Sequence, residues 1–291
     1  MAVDQMLEWL DNQGMRNAAG PFLRGRTLMN FVKKLRARAP TLGMQNFSGS
    51  PHMLEILGVA GFDCVMIDTE HTSFSTAECA HLIRAAQSFG LSPLIRVHAP
   101  YDVQIGKALD AGAEGVVVPR VNTKLDASRA VSAACYPPQG TRGMCPDTRG
   151  AGYDMDGWID YARQLPENVA VILLIEDKLA LAEIDEICSV DGIAAVFFGP
   201  GDFGVSLGAA ERGFDEAIRS KTLAALDRVS QAAARAGVSM MATPLHDLLQ
   251  PEETIHHLRE RGVDAVMYSI DTFLFRQLAG CIAKAFVDNT S

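Results

Sequence analysis

The sequence predicts an α/β protein built as a single (β/α)8 barrel, the fold also called a TIM barrel. Eight apolar runs of strand length alternate with stretches of helical length, and most runs lack the polar–apolar alternation of a half-exposed strand. Strands buried on both faces are typical of parallel sheets. Eight such units in 291 residues favour a closed barrel. An open doubly wound sheet is the alternative, but no Gly-x-Gly-x-x-Gly follows the first strand.

The chain divides into a short extension and one large domain. Residues 1–26 mix polar residues with Gly and Pro and are interpreted as an N-terminal extension. Residues 27–291 form the predicted barrel domain. Residues 27–37 have the apolar spacing of a helix, which Pro40 ends.

The strands and helices of the barrel follow in alternation. The strands are predicted at residues 41–47, 64–68, 93–97, 115–119, 170–175, 194–199, 239–243 and 265–270. The helices between them are predicted at residues 53–60, 76–89, 101–111, 124–134, 179–188, 214–236 and 251–262. A glycine suited to a left-handed helix end precedes several strands. These glycines are Gly61, Gly90, Gly112, Gly192, Gly237 and Gly262.

Two further segments depart from this alternation. Residues 135–166 are too rich in Gly and Pro for regular structure until a helix predicted at 158–165, and a long structured loop in a barrel is more often functional than idle. Residues 272–287 are apolar at helical spacing. This last helix either closes its own barrel or reaches a neighbouring subunit.

Composition excludes several classes of function. The net charge is −9, and the one basic cluster, at residues 33–38, is interpreted as the solvated end of a helix. A nucleic-acid partner is therefore not expected. No apolar run has the roughly 18 residues that span a bilayer. The six cysteines include no Cys-x-x-Cys pair, so free thiols in a reducing cytoplasm are expected.

Two acids follow two neighbouring strands of the predicted sheet. Glu176 ends the run that begins at Val169, and Asp202 follows the run that begins at Ile193. Because parallel strands end at the same edge, both carboxylates are expected at one rim. Two oxygen ligands with room for water or substrate suit a hard divalent cation such as Mg²⁺ or Mn²⁺. The alternative is capping of the next helix, for which Asp177 is better placed than Glu176.

Arg96, Asp68 and His71 are further candidates at this rim. Arg96 ends an apolar run, so its guanidinium needs an anion, either a substrate carboxylate or a structural partner. His71 follows Asp68 by three residues, and the acid can orient an imidazole that transfers protons near neutral pH. The glycines at 199 and 201 would let a substrate carboxylate approach the main chain.

These residues lie within motifs that run along most of the chain. The motifs are Ala60-Gly-Phe-Asp63, Ile67-Asp-x-Glu-His71, Arg96, Val103-Gln-Ile105, Leu109-Asp-x-Gly112, Val118-Pro119, Tyr136-Pro-Pro-x-Gly-x-Arg-Gly143, Ile175-Glu176 and Phe198-Gly-Pro-x-Asp202. With them the sequence resembles the HpcH/HpaI aldolase family, from about Phe31 to about Phe275. This family comprises metal-dependent (class II) pyruvate aldolases, including 2,4-dihydroxyhept-2-ene-1,7-dioate aldolase, and is related to macrophomate synthase.

The resemblance implies how the substrate and metal are bound. Glu176 and Asp202 would ligate the metal, with Co²⁺ or Zn²⁺ as alternatives to Mg²⁺ or Mn²⁺. Arg96 would bind and polarise the pyruvate oxygens, and the amides of Gly201 and Asp202 would hold the pyruvate carboxylate. The family often has Gln at the substrate-binding position that is Leu174 here.

The resemblance also implies how protons move and how subunits assemble. His71, oriented by Asp68 and by Asp110 of an adjacent subunit, would transfer the proton. Family members are hexamers built as trimers of dimers that exchange a C-terminal helix, which fits the apolar residues 272–287. Gln45 stands near a position where many of these aldolases have an aromatic residue, so acceptor specificity is expected to differ.

The expected reaction is cleavage of a 4-hydroxy-2-oxo acid to pyruvate and an aldehyde through a metal-stabilised enolate. An imine mechanism is disfavoured because Lys107, Lys124 and Lys178 fall on predicted helices or at their starts. Related lyases are the alternative, either an oxaloacetate decarboxylase or a malyl- or citramalyl-CoA type. A non-catalytic barrel that binds 2-oxo acids is the second alternative.

Overall fold

Eight parallel strands form a closed barrel, which confirms the predicted fold class. The computed structural model describes residues 31–98, 101–245 and 248–289, so the extension predicted at residues 1–26 and the start of the helix predicted at 27–37 lie outside the described residues. The strands, labelled β1 to β8 in order, are Thr41–Asn46, Cys64–Asp68, Ser92–Arg96, Gly115–Val118, Ala170–Ile175, Ile193–Phe198, Ser239–Ala242 and Ala265–Ile270. Each strand pairs with the next, and β8 pairs with β1.

The strands are buried on both faces, as the sequence pattern predicted. In each of the strands β2 to β7, every residue is buried. One face packs inside the barrel, and the other packs against the surrounding helices. Because the apolar runs end where the chain leaves this environment, predicted and observed strands agree to within one residue at either end.

The helices surround the barrel and return the chain to the amino end of the next strand. They are Phe31–Arg36, Pro51–Ala60, Thr76–Ser88, Tyr101–Asp110, Lys124–Ala134, Trp158–Asn168, Ile184–Cys188, Pro200–Ser206, Ala209–Arg212, Glu216–Ala236, Pro251–Glu260 and Asp271–Asp288, with a 3-10 turn at Lys178–Ala182. The helix predicted at 179–188 is thus divided into that turn and a short helix. All six glycines predicted at helix ends have φ between 70° and 96°. This conformation is strained for other residues, so the prediction is confirmed.

The helix Phe31–Arg36 fills the amino end of the barrel. Its side chains Phe31, Val32 and Leu35 are at most 2% exposed and share one apolar cluster with inward-facing strand residues such as Met66. Packing of this kind closes that end with hydrocarbon.

The basic cluster at residues 33–38 is not simply solvated. Nζ of Lys34 lies 2.6 Å from Oδ1 of Asp63, and Nε of Arg38 lies 2.9 Å from Oδ2 of Asp264. Asp63 directly precedes β2 and Asp264 directly precedes β8. The two ion pairs therefore join the first helix to the amino end of the barrel. The predicted helix end is confirmed, with Lys33 and Arg36 exposed in or beside its last turn, but the prediction of a fully solvated cluster is wrong for Lys34 and Arg38.

The long irregular segment at residues 135–157 also lies at the amino end. The main-chain N–H of Thr141 bonds to the carbonyl oxygen of Ser132, and that of Gly150 bonds to the carbonyl oxygen of Asp110. Asp110 ends the helix Tyr101–Asp110, and Ser132 lies near the end of the helix Lys124–Ala134. Both helices run back toward the amino ends of the strands. Within one chain, the segment is therefore remote from the rim at which the metal-binding and substrate-binding residues were predicted.

The C-terminal helix Asp271–Asp288 carries exposed apolar side chains. Phe275, Ile282 and Phe286 are 68%, 64% and 70% exposed. Asp271 is its one buried residue within the described chain, and its Oδ2 accepts a hydrogen bond from Nδ2 of Asn46 at 2.8 Å. Among the described residues, no helix is both long enough and apolar enough to cross a bilayer.

Candidate active site

The ends of β2 and β3 bring together two of the predicted residues. Asp68 and Arg96 are register partners at the carboxyl ends of these strands, and Nε of Arg96 donates a hydrogen bond to Oδ2 of Asp68. Both are buried, with Asp68 0% and Arg96 6% exposed. A buried guanidinium requires an anion. Asp68 supplies that anion, so the structural ion pair considered for Arg96 is present.

Asp68 holds the main chain of His71 instead of its ring. Its Oδ1 accepts a hydrogen bond from the N–H of His71 at 2.6 Å, as an Asp commonly does in the turn after a strand. The expected Asp68–imidazole contact is therefore corrected. The carboxylate beside the ring belongs to Glu70, whose Oε2 lies 3.9 Å from Nε2 of His71. The His71 side chain is 49% exposed at the rim, where it can meet a ligand.

Glu70 is a site residue that the sequence analysis did not select. Its side chain is 9% exposed, with Oε1 3.1 Å from Nη2 of Arg120 and Oε2 3.8 Å from Nε of Arg96. Oε2 is buried and has no hydrogen-bond partner within the described chain. The signal was its place in Ile67-Asp-x-Glu-His71, directly before a predicted catalytic residue.

Glu176 lies at the end of β5, as predicted. It is 7% exposed, and its Oε1 accepts a hydrogen bond from the main-chain N–H of Arg120 at 2.8 Å. The pKa of Glu176 is raised to about 7, chiefly by burial and in addition by the nearby carboxylates of Asp202 and Glu70. The Arg120 hydrogen bond and the Arg96 guanidinium oppose this shift. Glu176 thus lies in a negative field that a bound cation would relieve.

Arg120 has an unusual backbone conformation beside Glu176. Its φ is +56°, a left-handed value uncommon for a residue other than glycine. Such conformations persist where the surroundings fix them, often at functional sites. Here the hydrogen bond to Glu176 contributes to fixing the Arg120 main chain.

Asp202 reaches the site from the loop after β6. It lies in the first turn of the helix Pro200–Ser206 and is exposed. Gly199, just before this helix, has little space for a side chain. A Cβ there would lie 3.2 Å from Cβ of Glu176 and 3.3 Å from Cδ1 of Leu174. Leu174 is 2% exposed in the barrel interior, one layer below Glu176 on the same face of β5, so it supports the site from beneath.

Gly201, after β6, and Asp177, after β5, have different environments. Gly201 is exposed, with no atom within 4 Å of where a Cβ would lie, so its main chain is accessible. Its contact with a pyruvate carboxylate stays a prediction. Asp177 accepts a hydrogen bond at 2.9 Å from the N–H of Leu179 and caps the 3-10 turn, as the sequence analysis suggested.

A cavity of about 240 Å³ at the carboxyl end of the barrel joins these groups. Its walls are formed by Glu70, His71, Arg120, Asn122, Glu176, Asp177, Asp202, Val205 and Ser206. The predicted metal ligands and the predicted proton-transfer residue therefore share one cavity, with Arg96 behind Glu70.

Glu176 and Asp202 fit a divalent cation whose other coordination positions are filled by ligands from outside the protein. Glu176 and Asp202 supply hard oxygen donors. Burial, together with the neighbouring carboxylates, raises the pKa of Glu176, so a bound cation would stabilise its charged form. Across residues 31–98, 101–245 and 248–289, no three His, Cys, Asp or Glu side chains are grouped so as to hold a metal by themselves. Two protein carboxylates would leave coordination positions for water and for a chelating substrate.

Asp110 is not brought to this cavity within one chain. It ends the helix Tyr101–Asp110, and its Oδ1 lies 2.7 Å from Nη2 of Arg142 in the segment at residues 135–157. That segment is at the amino end of the barrel. Any contact of Asp110 with His71 therefore requires a second subunit.

The fold and the site define an enzyme of the barrel class whose acidic cavity lies at the carboxyl ends of the strands. A family model described as HpcH/HpaI aldolase/citrate lyase matches residues 43–277. The chain belongs to this family, and the resemblance seen in its motifs is confirmed.

Similar proteins include aldolases over much of the chain. The 2-dehydro-3,6-dideoxy-6-sulfogluconate aldolase of Pseudomonas putida is 40% identical over 168 residues, which are 58% of this chain and 65% of that protein. The hydroxypyruvate/pyruvate aldolase of Sagittula stellata is 28% identical over 249 residues, 86% of this chain and 94% of that protein. Among solved structures, an HpcH/HpaI aldolase from Desulfitobacterium hafniense is 27% identical with a TM-score of 0.78, covering 88% of this chain and 96% of that one.

Proposed function

We propose that this protein is a metal-dependent aldolase that cleaves a 4-hydroxy-2-oxo acid to pyruvate and an aldehyde. The observation that carries the proposal is the shared cavity, where Glu176 and Asp202 lie with His71. The similar proteins named as pyruvate, hydroxypyruvate and sulfogluconate aldolases support the same class of donor.

Residues in and around the cavity would bind and orient the 2-oxo acid. Glu176 and Asp202 would hold Mg²⁺ or Mn²⁺, with Co²⁺ or Zn²⁺ as alternatives, and the bound cation would supply Lewis acidity that stabilises developing enolate charge. Arg96 would place a permanent positive charge beside the pyruvate oxygens, held in orientation by Asp68. The amides of Gly201 and Asp202 would hold the carboxylate.

His71 would transfer the proton that accompanies bond cleavage. Its ring would accept the proton of the substrate 4-hydroxyl as the C3–C4 bond breaks. The oxygen at C4 then becomes the aldehyde carbonyl, and the electron pair of the broken bond forms the enolate. Return of a proton to C3 gives pyruvate. Oε2 of Glu70 lies 3.9 Å from Nε2 of His71, so this carboxylate would stand beside the ring during the transfer.

An assay of pyruvate release tests this proposal. A panel of 4-hydroxy-2-oxo acids is incubated with the metal-free protein, alone and with Mg²⁺, Mn²⁺, Co²⁺ or Zn²⁺, and pyruvate and aldehyde are both quantified. We expect both products only with metal, and loss of activity in EDTA. Borohydride with pyruvate should leave activity intact, because the walls of this cavity, as far as the chain is described, carry no lysine. Activity that survives EDTA but not borohydride would replace the metal mechanism with an imine mechanism.

A related lyase reaction is the second candidate, because the family also includes citrate lyases. Oxaloacetate decarboxylation and malyl- or citramalyl-CoA cleavage would use the same stabilised enolate. Release of CO₂ without aldehyde identifies the decarboxylase, and an absolute requirement for a CoA thioester identifies the CoA lyase. Binding of pyruvate without turnover of any of these substrates would identify the non-catalytic barrel.

Assembly into a homo-oligomer is part of the proposal. The exposed apolar side chains of the helix Asp271–Asp288 would be covered by a neighbouring subunit, within a hexamer built as a trimer of dimers. In that assembly Asp110 of an adjacent subunit would approach His71. Light scattering of the full chain, and of a variant with Phe275→Glu and Ile282→Glu, tests whether this helix holds the assembly together.

We also place the protein in the cytoplasm, with a 2-oxo acid and an aldehyde as its partners and no nucleic acid or membrane partner. We further propose that residues 27–291 form a single barrel domain and that residues 1–26 are an extension of it. All six cysteines fall in the described ranges and are free thiols, which suits a reducing compartment. Fractionation of cells that produce the tagged full-length chain tests this location.

A further inference from the structure

We propose that the guanidinium of Arg120 forms a second anion subsite, which recognises a carboxylate or sulfonate at the far end of the substrate. The inference rests on the proposed function, because it assumes that the 2-oxo acid group binds at Glu176 and Asp202. It adds a specificity for the part of the substrate that becomes the aldehyde.

Exposure within the cavity gives the direction in which the substrate extends. Glu176 is 7% exposed at the base, whereas the Arg120 side chain is 68% exposed. Both residues line the same cavity. A substrate that binds its 2-oxo acid group at the base must direct its remaining carbons toward the opening, and Arg120 lies on that side.

The Arg120 backbone is fixed by the site itself. Its N–H donates to Oε1 of Glu176 at 2.8 Å, and its φ is +56°. The position of its Cα therefore depends on a predicted metal ligand. Because substitutions at position 120 retain this N–H, they can separate the role of the side chain from that of the backbone.

Glu70 orients the guanidinium without using all of it. Its Oε1 lies 3.1 Å from Nη2 of Arg120, a contact at one edge of a group that has five N–H donors. Within the described residues, this is the ion pair found for the Arg120 side chain. A ligand carboxylate or sulfonate can bind another edge in bidentate fashion.

The charges around the cavity make Arg120 decisive for a distal anion. Four carboxylates line the walls, from Glu70, Glu176, Asp177 and Asp202, and Arg120 is the permanent cation among the lining residues described. Without its charge, these acids would repel a second anionic group, even with a divalent cation at the base. The charge of Arg120 would therefore attract substrates with a distal anion. Without that charge, the surrounding acids would repel the same substrates.

Binding of matched 2-oxo acids tests the subsite independently of turnover. The probes are 2-oxoglutarate and 2-oxoadipate, paired with 2-oxopentanoate and 2-oxohexanoate, which have the same chain lengths without the distal carboxylate. Affinities are measured by calorimetry with the full chain in saturating Mg²⁺. We expect at least one dianion to bind about fivefold more tightly than its partner, and added salt to reduce the difference, because Arg120 is exposed to solvent.

Three variants assign the difference to the Arg120 charge. Arg120→Gln should remove the preference while leaving affinity for the neutral-tail probes within about twofold, and Arg120→Lys should retain part of it. Arg163→Gln is the matched control, since Arg163 is 76% exposed on the helix Trp158–Asn168 and its loss changes net charge equally. The control should retain the full preference. A 2-oxo acid with a distal sulfonate, compared in the same way, shows which anion is preferred.

The outcomes separate the inference from the proposed function. Equal binding within each probe pair, or equal weakening of both members by Arg120→Gln, overturns the subsite while leaving the aldolase proposal in place. Failure of pyruvate and every probe to bind in the presence of metal overturns the proposed function, and the subsite with it. Pyruvate release from 4-hydroxy-2-oxo acids with anionic and neutral tails should show the same preference, mainly in KM.

Discussion

The carboxylate of Asp202 lies close enough to Glu176 to raise its pKa. These residues follow β5 and β6, which are adjacent in the barrel. Two acids that repel each other are stabilised when one cation binds both.

Glu176→Gln should therefore weaken metal binding. The amide is nearly isosteric but removes one of the two anionic ligands, so we expect Mn²⁺ affinity to fall by at least about 100-fold and aldol cleavage to be lost. Calorimetric titration with Mn²⁺ measures the change. Asp177→Asn is the control, because Asp177 caps the 3-10 turn through its Oδ1. Equal Mn²⁺ affinity in wild type and Glu176→Gln would exclude Glu176 as a ligand.

The raised pKa of Glu176 predicts a pH dependence of stability in the metal-free protein. Burial raises the pKa to about 7 from the ordinary 4.5. Between these values the unfolded chain has lost the proton while the folded chain retains it, so the free energy of unfolding should fall as pH rises through this window. Below about pH 4.5 both states are protonated, and this contribution is fully present.

Melting temperatures in EDTA across this range test the prediction. Glu176→Gln cannot titrate, so its melting temperature should depend less on pH than that of the wild type. The same proton competes with the metal, and Mn²⁺ affinity of the wild type should rise with pH up to about 7 and then level off. Parallel curves for the two proteins would show that Glu176 titrates normally.

Arg96→Ala should reduce both stability and turnover. The substitution leaves the carboxylate of Asp68, which is 0% exposed, without its cation, at a cost of about 3 kcal/mol in the free energy of unfolding. Urea denaturation measures this loss. Turnover should fall even at saturating metal, whereas Mn²⁺ affinity should change little. Arg96→Lys keeps the charge without the fork of donors and should recover more stability than activity; full activity in either variant would remove Arg96 from the mechanism.

Gly199→Ala should disturb the site through packing. A methyl group there would lie 3.2 Å from Cβ of Glu176, a close contact that requires Glu176 to shift by a few tenths of an ångström. We expect a loss of about 1 kcal/mol in stability and weaker Mn²⁺ binding. Gly201→Ala is the matched control for both measurements, since no atom lies within 4 Å of that Cβ position. If the two variants bind Mn²⁺ equally well, the close approach of Gly199 has no part in positioning Glu176.

Local patterns were sufficient to predict the barrel. A run such as residues 170–175 is apolar throughout because both faces of β5 are buried, and glycines such as Gly61 mark helix ends because their φ is positive. These signals depend on near neighbours in sequence. No local pattern indicated the position of the segment at residues 135–157. That position is set by the helices before it, which bring the chain back to the amino end of the barrel.

The site was predicted less completely because its contacts join different strands. Asp68 was paired with His71 from their spacing, yet the register of β2 and β3 gives its other oxygen to Arg96, and the turn gives the His71 ring to Glu70. The position of Arg120 directly after the strand predicted at 115–119 indicated only that it lies at the rim. Its role depends on the left-handed turn after β4 and on the adjacent Glu176. Strand pairing and turn conformation, and not residue type, decide these contacts.

The apolar filling at the amino end, provided by Phe31, Val32 and Leu35, would determine the order in which the products of the proposed reaction leave. Pyruvate at the base of the cavity would be unable to leave through the barrel and would have to pass the position of the aldehyde. The aldehyde would therefore depart first, and pyruvate would act as a competitive inhibitor of the substrate, whereas the aldehyde would inhibit noncompetitively.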